Sequence, residues 1–301
     1  MNKRNLFPVA FLLAFALLGS ACGRDENPAL EGTPKGTAAA RPSFPADSYM
    51  AEIQKKGKIV IGVKNDVPQF GLLNPATRQV EGFDVDLGRI IADRLGVEPE
   101  FVEAVSANRI PFLNEDKVDV IISTMTINEE RKREVDFSVV YYLAGQTLLV
   151  KAGSPITGVK ALNDMRASVC SASGSTSEQN IRAAAPAANI VLQPQYSQCF
   201  QLLQNDQTQA VTTDDVILLG FAKTDPDQFK LVGGTFSKEP YGMGIKKGRA
   251  GFKEFVDGVI RDIKRDGTWV ELYDKWVRPI TGTSQQPPPD DAPAEAPSPP
   301  A

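Results

Sequence analysis

The hydrophobic positions between about residue 50 and residue 280 change repeatedly from short apolar runs to runs with helical spacing. The run Lys58–Val63 predicts a strand, and the continuous run at 118–122 is typical of a strand buried in a parallel sheet. Between them, apolar residues recur at helical spacing over Phe83–Leu95, and Gly96 is expected to end that helix. This alternation predicts an α/β fold with right-handed crossovers.

The alternation restarts in the second half of the chain, which predicts two lobes. In the first half, a further strand is expected at 100–105 and a short helix at 110–113. In the second half, strands are expected at 147–150, 167–170, 190–192 and 210–212, and helices at 177–185, 197–204 and 215–221. Residues 252–277 are expected to be helical throughout.

The first 21 residues have the features of a signal peptide. Lys3 and Arg4 give a positive start, and the apolar run at 6–18 is too short to span a bilayer comfortably. Cys22 follows small residues, which resembles the cleavage site of bacterial lipoproteins, where the cysteine carries lipid. Gly19 departs from that site, which usually has Leu three residues before the cysteine. A secreted protein with a leftover cysteine is the alternative.

Two segments outside the alternating region lack hydrophobic periodicity. Residues 22–50 are rich in Gly, Pro, Ala and Thr, and we expect a flexible tether that begins at the lipidated Cys22. Residues 281–301 are expected to form a disordered Pro/Ala-rich tail, because the sequence from Gln285 onward cannot bury a core.

Composition excludes several classes of function. The chain has no histidine, which excludes His-based triads and His-ligated metal sites, and we expect neither a metal nor a cofactor. The formal net charge of −4 gives no basic face for nucleic acid. Cys170 and Cys199 remain after Cys22, and an even count in an exported chain predicts a disulfide; two buried free thiols are the alternative.

Four segments carry a resemblance to a known family. The longest is VDVIISTMTINEERKREVDFSVVYYLAGQTLLV at 118–150; the others are VEGFDVDLGRIIADRLG, AVTTDDVILLG and DGTWVELYDKW. They resemble family 3 of the extracytoplasmic solute-binding proteins, which serve ABC importers of polar amino acids. The resemblance implies the type II periplasmic-binding-protein fold. Its first lobe would be discontinuous, at 51–149 and 243–280, its second lobe would span 150–242, and two crossing strands would form a hinge.

The resemblance also implies which residues contact the amino-acid backbone of a ligand. The Arg131 position holds the α-carboxylate, for which a guanidinium offers two parallel hydrogen bonds. Further positions complete the cradle: Thr126, Ser175 and Thr176 for the α-carboxylate, and Thr124 and Asp214 for the α-amino group. The residue types fit, since Ser and Thr follow strand ends and a helix start attracts anions. Asp215 is read as a helix cap.

The resemblance implies that three other positions contact the ligand side chain. The segment GVKNDVPQFGLLNPATRQVEGFDVDL resembles the aspartate/glutamate-binding branch of the family, in which the positions of Lys64 and Arg109 face a second carboxylate. Tyr196 matches a further ligand contact. Two cations would favour an acidic ligand over a neutral one. The alternative for Arg109 is a structural role, in which it anchors the loops of its lobe.

These features predict a substrate-binding lipoprotein of an ABC importer, with glutamate as its ligand and aspartate as a further ligand. The alternatives are another polar amino acid such as glutamine, or a dehydratase-type enzyme on the same fold. We expect no enzyme, because each cleft group neutralises a ligand charge and no general base remains. The expected partners are a membrane permease and, through the lipid, the outer face of the bacterial cell membrane; a monomer is expected, and no nucleic acid.

Overall fold

The computed structural model describes residues 42–295. The expected signal peptide and the expected lipidation site at Cys22 lie outside these residues. No helix within 42–295 combines the length and the apolar character needed to cross a membrane.

The described residues form fifteen strands and eleven helices. In chain order the strands are β1 Lys58–Val63, β2 Asp66–Val67, β3 Gly71–Leu73, β4 Val80–Glu81, β5 Glu98–Glu103, β6 Val120–Ile121, β7 Val135–Phe137, β8 Tyr142–Ala144, β9 Gln146–Lys151, β10 Ser168–Ala172, β11 Asn189–Gln193, β12 Ala210–Asp214, β13 Phe229–Val232, β14 Glu239–Tyr241 and β15 Gly244–Lys246.

The helices alternate with these strands, as the hydrophobic pattern predicts. They are α1 Tyr49–Lys56, α2 Phe83–Leu95, α3 Arg109–Asn114, α4 Glu129–Glu134, α5 Val159–Asp164, α6 Thr176–Ala184, α7 Tyr196–Gln204, α8 Asp215–Ala222, α9 Ala250–Asp266, α10 Thr268–Trp276 and α11 Arg278–Thr281, and a 3-10 turn spans Ser106–Asn108.

Two five-stranded sheets define two lobes. The sheet of the first lobe has the order β5-β1-β6-β15-β7, with β1 parallel to β5 and β6. Its strand β15 comes from the end of the chain and is antiparallel to both neighbours. The sheet of the second lobe has the order β11-β10-β12-β9-β13 and uses only the middle of the chain. The first lobe is therefore discontinuous, as the resemblance implies.

Two antiparallel strands cross between the lobes. β8 leads into the second lobe and β14 leads back, and they pair from Tyr142 opposite Tyr241 to Ala144 opposite Glu239. Aromatic rings pack around them: the Tyr142 and Tyr241 rings lie 5.6 Å apart, and Phe70 meets Tyr142 edge-on at 5.2 Å. A hinge of two short strands, set in a dense aromatic cluster, confines bending to a small segment.

The predicted disulfide is confirmed. Cys170 on β10 and Cys199 on α7 are bonded, with their Cα atoms 5.3 Å apart. Both residues belong to the second lobe, so the bond fastens a helix to its own sheet.

Three expectations differ from the structure: the single helix at 252–277, the tether at 22–50 and the disordered tail at 281–301. Residues 252–277 are not one helix, because Gly267 adopts a left-handed φ of 92° that ends α9 and starts α10. The expected tether 22–50 overlaps the folded region: Ser48 caps α1, and Phe44 packs on Phe255 at 5.5 Å. The apolar face of α1 is only Met50 and Ile53, too short a pattern to stand out.

The expected disordered tail at 281–301 is wrong for the residues up to Glu295. The segment docks on the folded lobes: the Val140 N–H donates to the Asp290 carbonyl at 2.9 Å, and Glu295 pairs with Lys238. The composition argument excluded a core of the tail's own. It did not exclude docking on a surface, where a few backbone bonds and charge pairs hold an extended Pro-rich segment.

Candidate functional site

All nine predicted ligand residues are buried and gather where the two lobes meet. In the first lobe, Lys64 follows β1, Thr124 and Thr126 follow β6, and Arg109 and Arg131 lie on α3 and α4. In the second lobe, Ser175 and Thr176 start α6, Tyr196 starts α7, and Asp214 ends β12. Most of them follow the carboxyl ends of parallel strands, the edge at which open α/β sheets bind ligands.

The two lobes touch each other at this site. The Thr126 and Thr176 hydroxyl oxygens lie 3.3 Å apart, and Arg131 Nη2 donates to the Gly174 carbonyl at 3.4 Å. Gly174 has a φ of 71°, and a Cβ built there would lie 2.8 Å from the Cα of Ala107. A glycine is needed at this point, because only it combines the left-handed backbone with so close an approach.

Arg131 is a buried cation on the first-lobe side. Its Nη1 donates to the Thr126 carbonyl at 2.8 Å. Burial, and then the charge of Arg109, lower the pKa of Arg131 to about 9, so the guanidinium stays charged at neutral pH. A buried charge of this kind is stabilised by an anion placed beside it.

Thr124 has an unusual backbone conformation. Its φ is 44°, which is rare for a β-branched residue. Its N–H donates to Asp84 Oδ2 at 2.8 Å, and its carbonyl accepts from Arg109 Nη1 at 3.1 Å. Burial raises the pKa of Asp84 to about 7. Left-handed residues held from both sides are common at binding sites.

Arg109 also bonds two further carbonyls. Its Nη1 donates to Ser123 O at 3.0 Å, and its Nε donates to Ser106 O at 3.2 Å. Arg109 therefore anchors the loop that follows β6, the structural role that the sequence left open as an alternative.

Lys64 is a nearly enclosed cation. Its side chain is 1% exposed, and its Nζ donates to Ser106 Oγ at 2.9 Å and lies 5.5 Å from the centre of the Tyr196 ring. Burial, and then the nearby charge of Arg109, lower the pKa of Lys64 to about 7. Near neutral pH this lysine is divided between its charged and neutral forms.

The hydroxyls of Ser175 and Thr176 in the second lobe already form hydrogen bonds within the protein. Ser175 Oγ donates to Ala172 O at 2.7 Å and accepts from the Glu178 N–H, which caps α6. Thr176 Oγ1 donates to Glu239 Oε2 at 2.8 Å. The donors that this region can offer to an anion are therefore backbone N–H groups of the first turn of α6.

Asp214 is a buried carboxylate with one oxygen to spare. Its Oδ2 accepts a hydrogen bond from the Tyr241 hydroxyl, and its Oδ1 has no partner within residues 42–295. Burial, and then the charge of Glu239, raise the pKa of Asp214 well above its usual range. Its neighbour Asp215 accepts from the Val216 N–H, but Asp215 is the first residue of α8 and Asp214 holds the N-cap position without a side-chain capping bond, so the predicted cap at Asp215 is wrong. The free oxygen of Asp214 is an acceptor for a cationic group.

Glu239 on hinge strand β14 is a site residue that sequence reasoning missed. It is 2% exposed and accepts from Thr176, from Asn180 Nδ2 at 2.8 Å and from Ser237 Oγ at 2.7 Å. The sequence signal is slight: an acid beside Pro240 where the chain returns to the first lobe. Its partners come from distant segments, so only the fold reveals it.

Three cations and three carboxylates share this interior. Lys64, Arg109 and Arg131 face Asp84, Asp214 and Glu239, with Arg131 and Asp214 on opposite lobes. This arrangement suits a ligand that carries both charges, with an anion toward Arg131 and a cation toward Asp214.

Comparison with known proteins agrees with this geometry. A profile of the bacterial extracellular solute-binding proteins, family 3, matches residues 59–279. The ABC transporter glutamine-binding protein GlnH of Bacillus subtilis is 40% identical over 91% of this chain and 98% of its own. The glutamate-binding protein GluB of Corynebacterium glutamicum is 30% identical over 75% and 80%. An ancestral arginine-binding protein bound to glutamine superposes with a TM-score of 0.70 at 37% identity, over 73% and 97%.

Proposed function

The chain belongs to family 3 of the bacterial extracellular solute-binding proteins, and from its similarity to GlnH and the chemistry of the site we propose that its ligand is glutamine. It is an exported amino-acid-binding component of an ABC importer, with the type II two-lobe fold, and not an enzyme. The ligand would be enclosed between the lobes and delivered to a membrane permease.

The observation that carries the amino-acid part of the proposal is the placement of buried Arg131 and buried Asp214 on opposite lobes of the same site. A zwitterion enclosed between the lobes loses its water, so each of its charges requires a partner. We assign the α-carboxylate to Arg131, with Thr126 and the first-turn N–H groups of α6 at Ser175 and Thr176. We assign the ammonium to the free Oδ1 of Asp214, with Thr124 beside it. Arg131 lies in one lobe and Asp214 in the other, so one ligand would hold both lobes together.

The side-chain pocket favours a neutral ligand. Arg109 directs its Nε and Nη1 donors to three backbone carbonyls, which favours a structural role over contact with a second carboxylate. Lys64 keeps only part of its charge near neutral pH. An amide side chain needs hydrogen bonds from Lys64 and a wall such as Tyr196, and no compensating charge. The similarity to GlnH, a glutamine-binding protein, supports the same choice.

Glutamate is the second candidate. The specific observation in its favour is Lys64, a buried amine that a side-chain carboxylate would return to its ammonium form. The similarity to GluB supports it, at lower identity.

Calorimetry with purified protein tests the assignment. Wild type should bind glutamine more tightly than glutamate at pH 8, and Arg131→Ala should weaken both by at least a hundredfold, on the scale of about 3–5 kcal/mol for breaking a buried pair. Arg133→Ala, an exposed arginine on the same helix, is the matched control. Equal loss in both variants, or tightest binding of a ligand without an α-carboxylate, would contradict the assignment of Arg131.

The membrane attachment is a separate part of the proposal. We infer lipidation of Cys22 from the small residues before it and from the exported family. Cys22→Ser should release the protein into the medium. Absence of labelled fatty acid from the wild-type chain would disprove the anchor and leave the ligand assignment untouched.

A further inference from the structure

The tail residues 288–295, here called the C-terminal strap, are fixed at one end to the first lobe. Lys264 Nζ on α9 donates to the Pro288 carbonyl at 2.9 Å and to Asp290 Oδ1 at 2.7 Å. Arg261 Nε donates to Asp290 Oδ2 at 2.8 Å, and the Val140 N–H donates to the Asp290 carbonyl. Asp290 thus joins α9 to the segment that enters the hinge.

The other end of the strap is fixed to the second lobe. Glu295 and Lys238 exchange both backbone hydrogen bonds, at 3.2 and 3.3 Å, and their side chains form an ion pair. Lys238 immediately precedes hinge strand β14. Phe236, two residues earlier, donates to Gln146 O on β9, so this segment moves with the second lobe.

Between its two ends the strap follows the whole length of the hinge. Val140 precedes β8 at the first-lobe end, and Lys238 precedes β14 at the second-lobe end. Strap residues 290–295 line one wall of a groove of about 810 Å³ whose other walls include Thr126 and Asn128 of the first lobe and Thr176, Asn180 and Glu239 of the second. The strap therefore bridges both lobes beside the candidate site.

We propose that the C-terminal strap is a third connection between the lobes, which stiffens the hinge and stabilises their closed arrangement. Both ends are engaged while Thr126 and Thr176 are in contact, and bending β8 and β14 changes the distance between the two ends. Whatever binds only the closed arrangement gains affinity from a contact made only there. The connection rests on the two-lobe fold and on these contacts, and it does not depend on which amino acid is bound.

The strap is a weak and salt-sensitive connection. The Lys238 and Glu295 side chains are each 53% exposed, and such pairs contribute little and are screened by salt. Removing the ion pairs at both ends, with the backbone hydrogen bonds left in place, should therefore reduce ligand affinity about three- to tenfold at low salt, mainly through faster dissociation, and by less at high salt.

The decisive variant is full-length Asp290→Asn with Glu295→Gln, which removes both sets of ion pairs. The matched control is Asp291→Asn, since Asp291 is exposed in the same segment and forms no ion pair within residues 42–295. The probe is glutamine in low-salt calorimetry. A three- to tenfold loss of affinity in the double variant, absent from the control, supports the strap. A separate variant with Lys238→Glu and Glu295→Lys re-forms the ion pair with reversed charges and should have wild-type affinity. Equal affinities in double variant and control would overturn it.

Hydrogen exchange separates this proposal from the ligand assignment. The Val140 and Lys238 amides donate to the strap, so they and the β8 and β14 amides should exchange at least threefold faster in the double variant without any ligand. If wild type binds neither glutamine nor glutamate, the ligand assignment fails, but the hydrogen-exchange measurement still tests the strap because it needs no ligand. Faster exchange then supports the strap, and unchanged exchange refutes it.

Discussion

The charge of Lys64 gives the sharpest test of how the site distinguishes a glutamine side chain from a glutamate side chain. Burial lowers its pKa from 10.5 to about 7, and each tenfold change in proton affinity is worth about 1.4 kcal/mol. Burial and the neighbouring charges of Arg109 and Arg131, partly offset by Asp66, together make the charged form of this amine less favourable by about 5 kcal/mol. A glutamine complex leaves this pKa near 7, whereas the carboxylate of glutamate raises it. The two complexes consequently hold different numbers of protons above pH 7.

The sign of the pH dependence follows from this difference. Below pH 7 Lys64 is protonated in both complexes, so the ratio of glutamate to glutamine affinity is constant. Above pH 7 the glutamine complex releases the proton and the glutamate complex keeps it, so the ratio falls, on the order of tenfold between pH 6.5 and 8.5. This ratio is independent of the protonation of the unliganded protein, because that state is common to both ligands.

Lys64→Met should remove the pH dependence of the ratio. Calorimetry from pH 6.5 to 8.5, repeated in two buffers of different ionisation enthalpy, measures the affinities and the protons exchanged. The background is favourable because the chain has no histidine. Asp84 is present in the variant as well, and its pKa rises there because the charge of Lys64 is lost, so Asp84 affects both ligands in the same direction. A ratio that is flat in wild type, or that falls equally in the variant, would show that Lys64 does not face the ligand side chain.

Four other changes probe the remaining features. Arg109→Ala should lower the free energy of unfolding by about 1–3 kcal/mol in urea, because three carbonyls lose their donor, and should weaken glutamine and glutamate alike; loss of glutamate alone would restore the ligand contact expected from the sequence. Gly174→Ala should weaken every amino acid at least tenfold while leaving urea stability within about 1–2 kcal/mol, and unchanged affinity would disprove the close approach of the lobes. Glu239→Gln should weaken glutamine severalfold in calorimetry by disturbing the hydrogen bonds that position Thr176 and Asn180 on α6, and equal or tighter binding would contradict that role. Cys199→Ala should lower stability by roughly 3–4 kcal/mol in urea unfolding, and a loss below 1 kcal/mol would refute a stabilising disulfide.

Much of the fold could be predicted because its signals are local. β1 and α2 have the bounds read from the hydrophobic pattern, and Gly96 ends α2 in a left-handed conformation. The candidate residues come together because they sit at strand ends and helix starts, which one sheet edge collects.

What could not be predicted depends on contacts between distant segments. The structural role that we propose for Arg109 rests on carbonyls 14 and 15 residues away at Ser123 and Thr124, and no local pattern distinguishes such an anchor from a ligand contact. Glu239 acquires its role only when α6 is brought against the returning strand. The docking of the tail at Asp290 and Glu295 is invisible to composition, which reports the absence of a core and nothing about a neighbouring surface.

The position of β15 in the first sheet has a consequence for the order in which the chain folds. β15 lies between β6 and β7, so the sheet remains split until residues 244–246 have been synthesised. The second-lobe sheet uses only residues 146–232 and can form earlier. Long-range pairings of this kind form slowly because a large loop must close first. The second lobe is therefore expected to complete its sheet before the first lobe does.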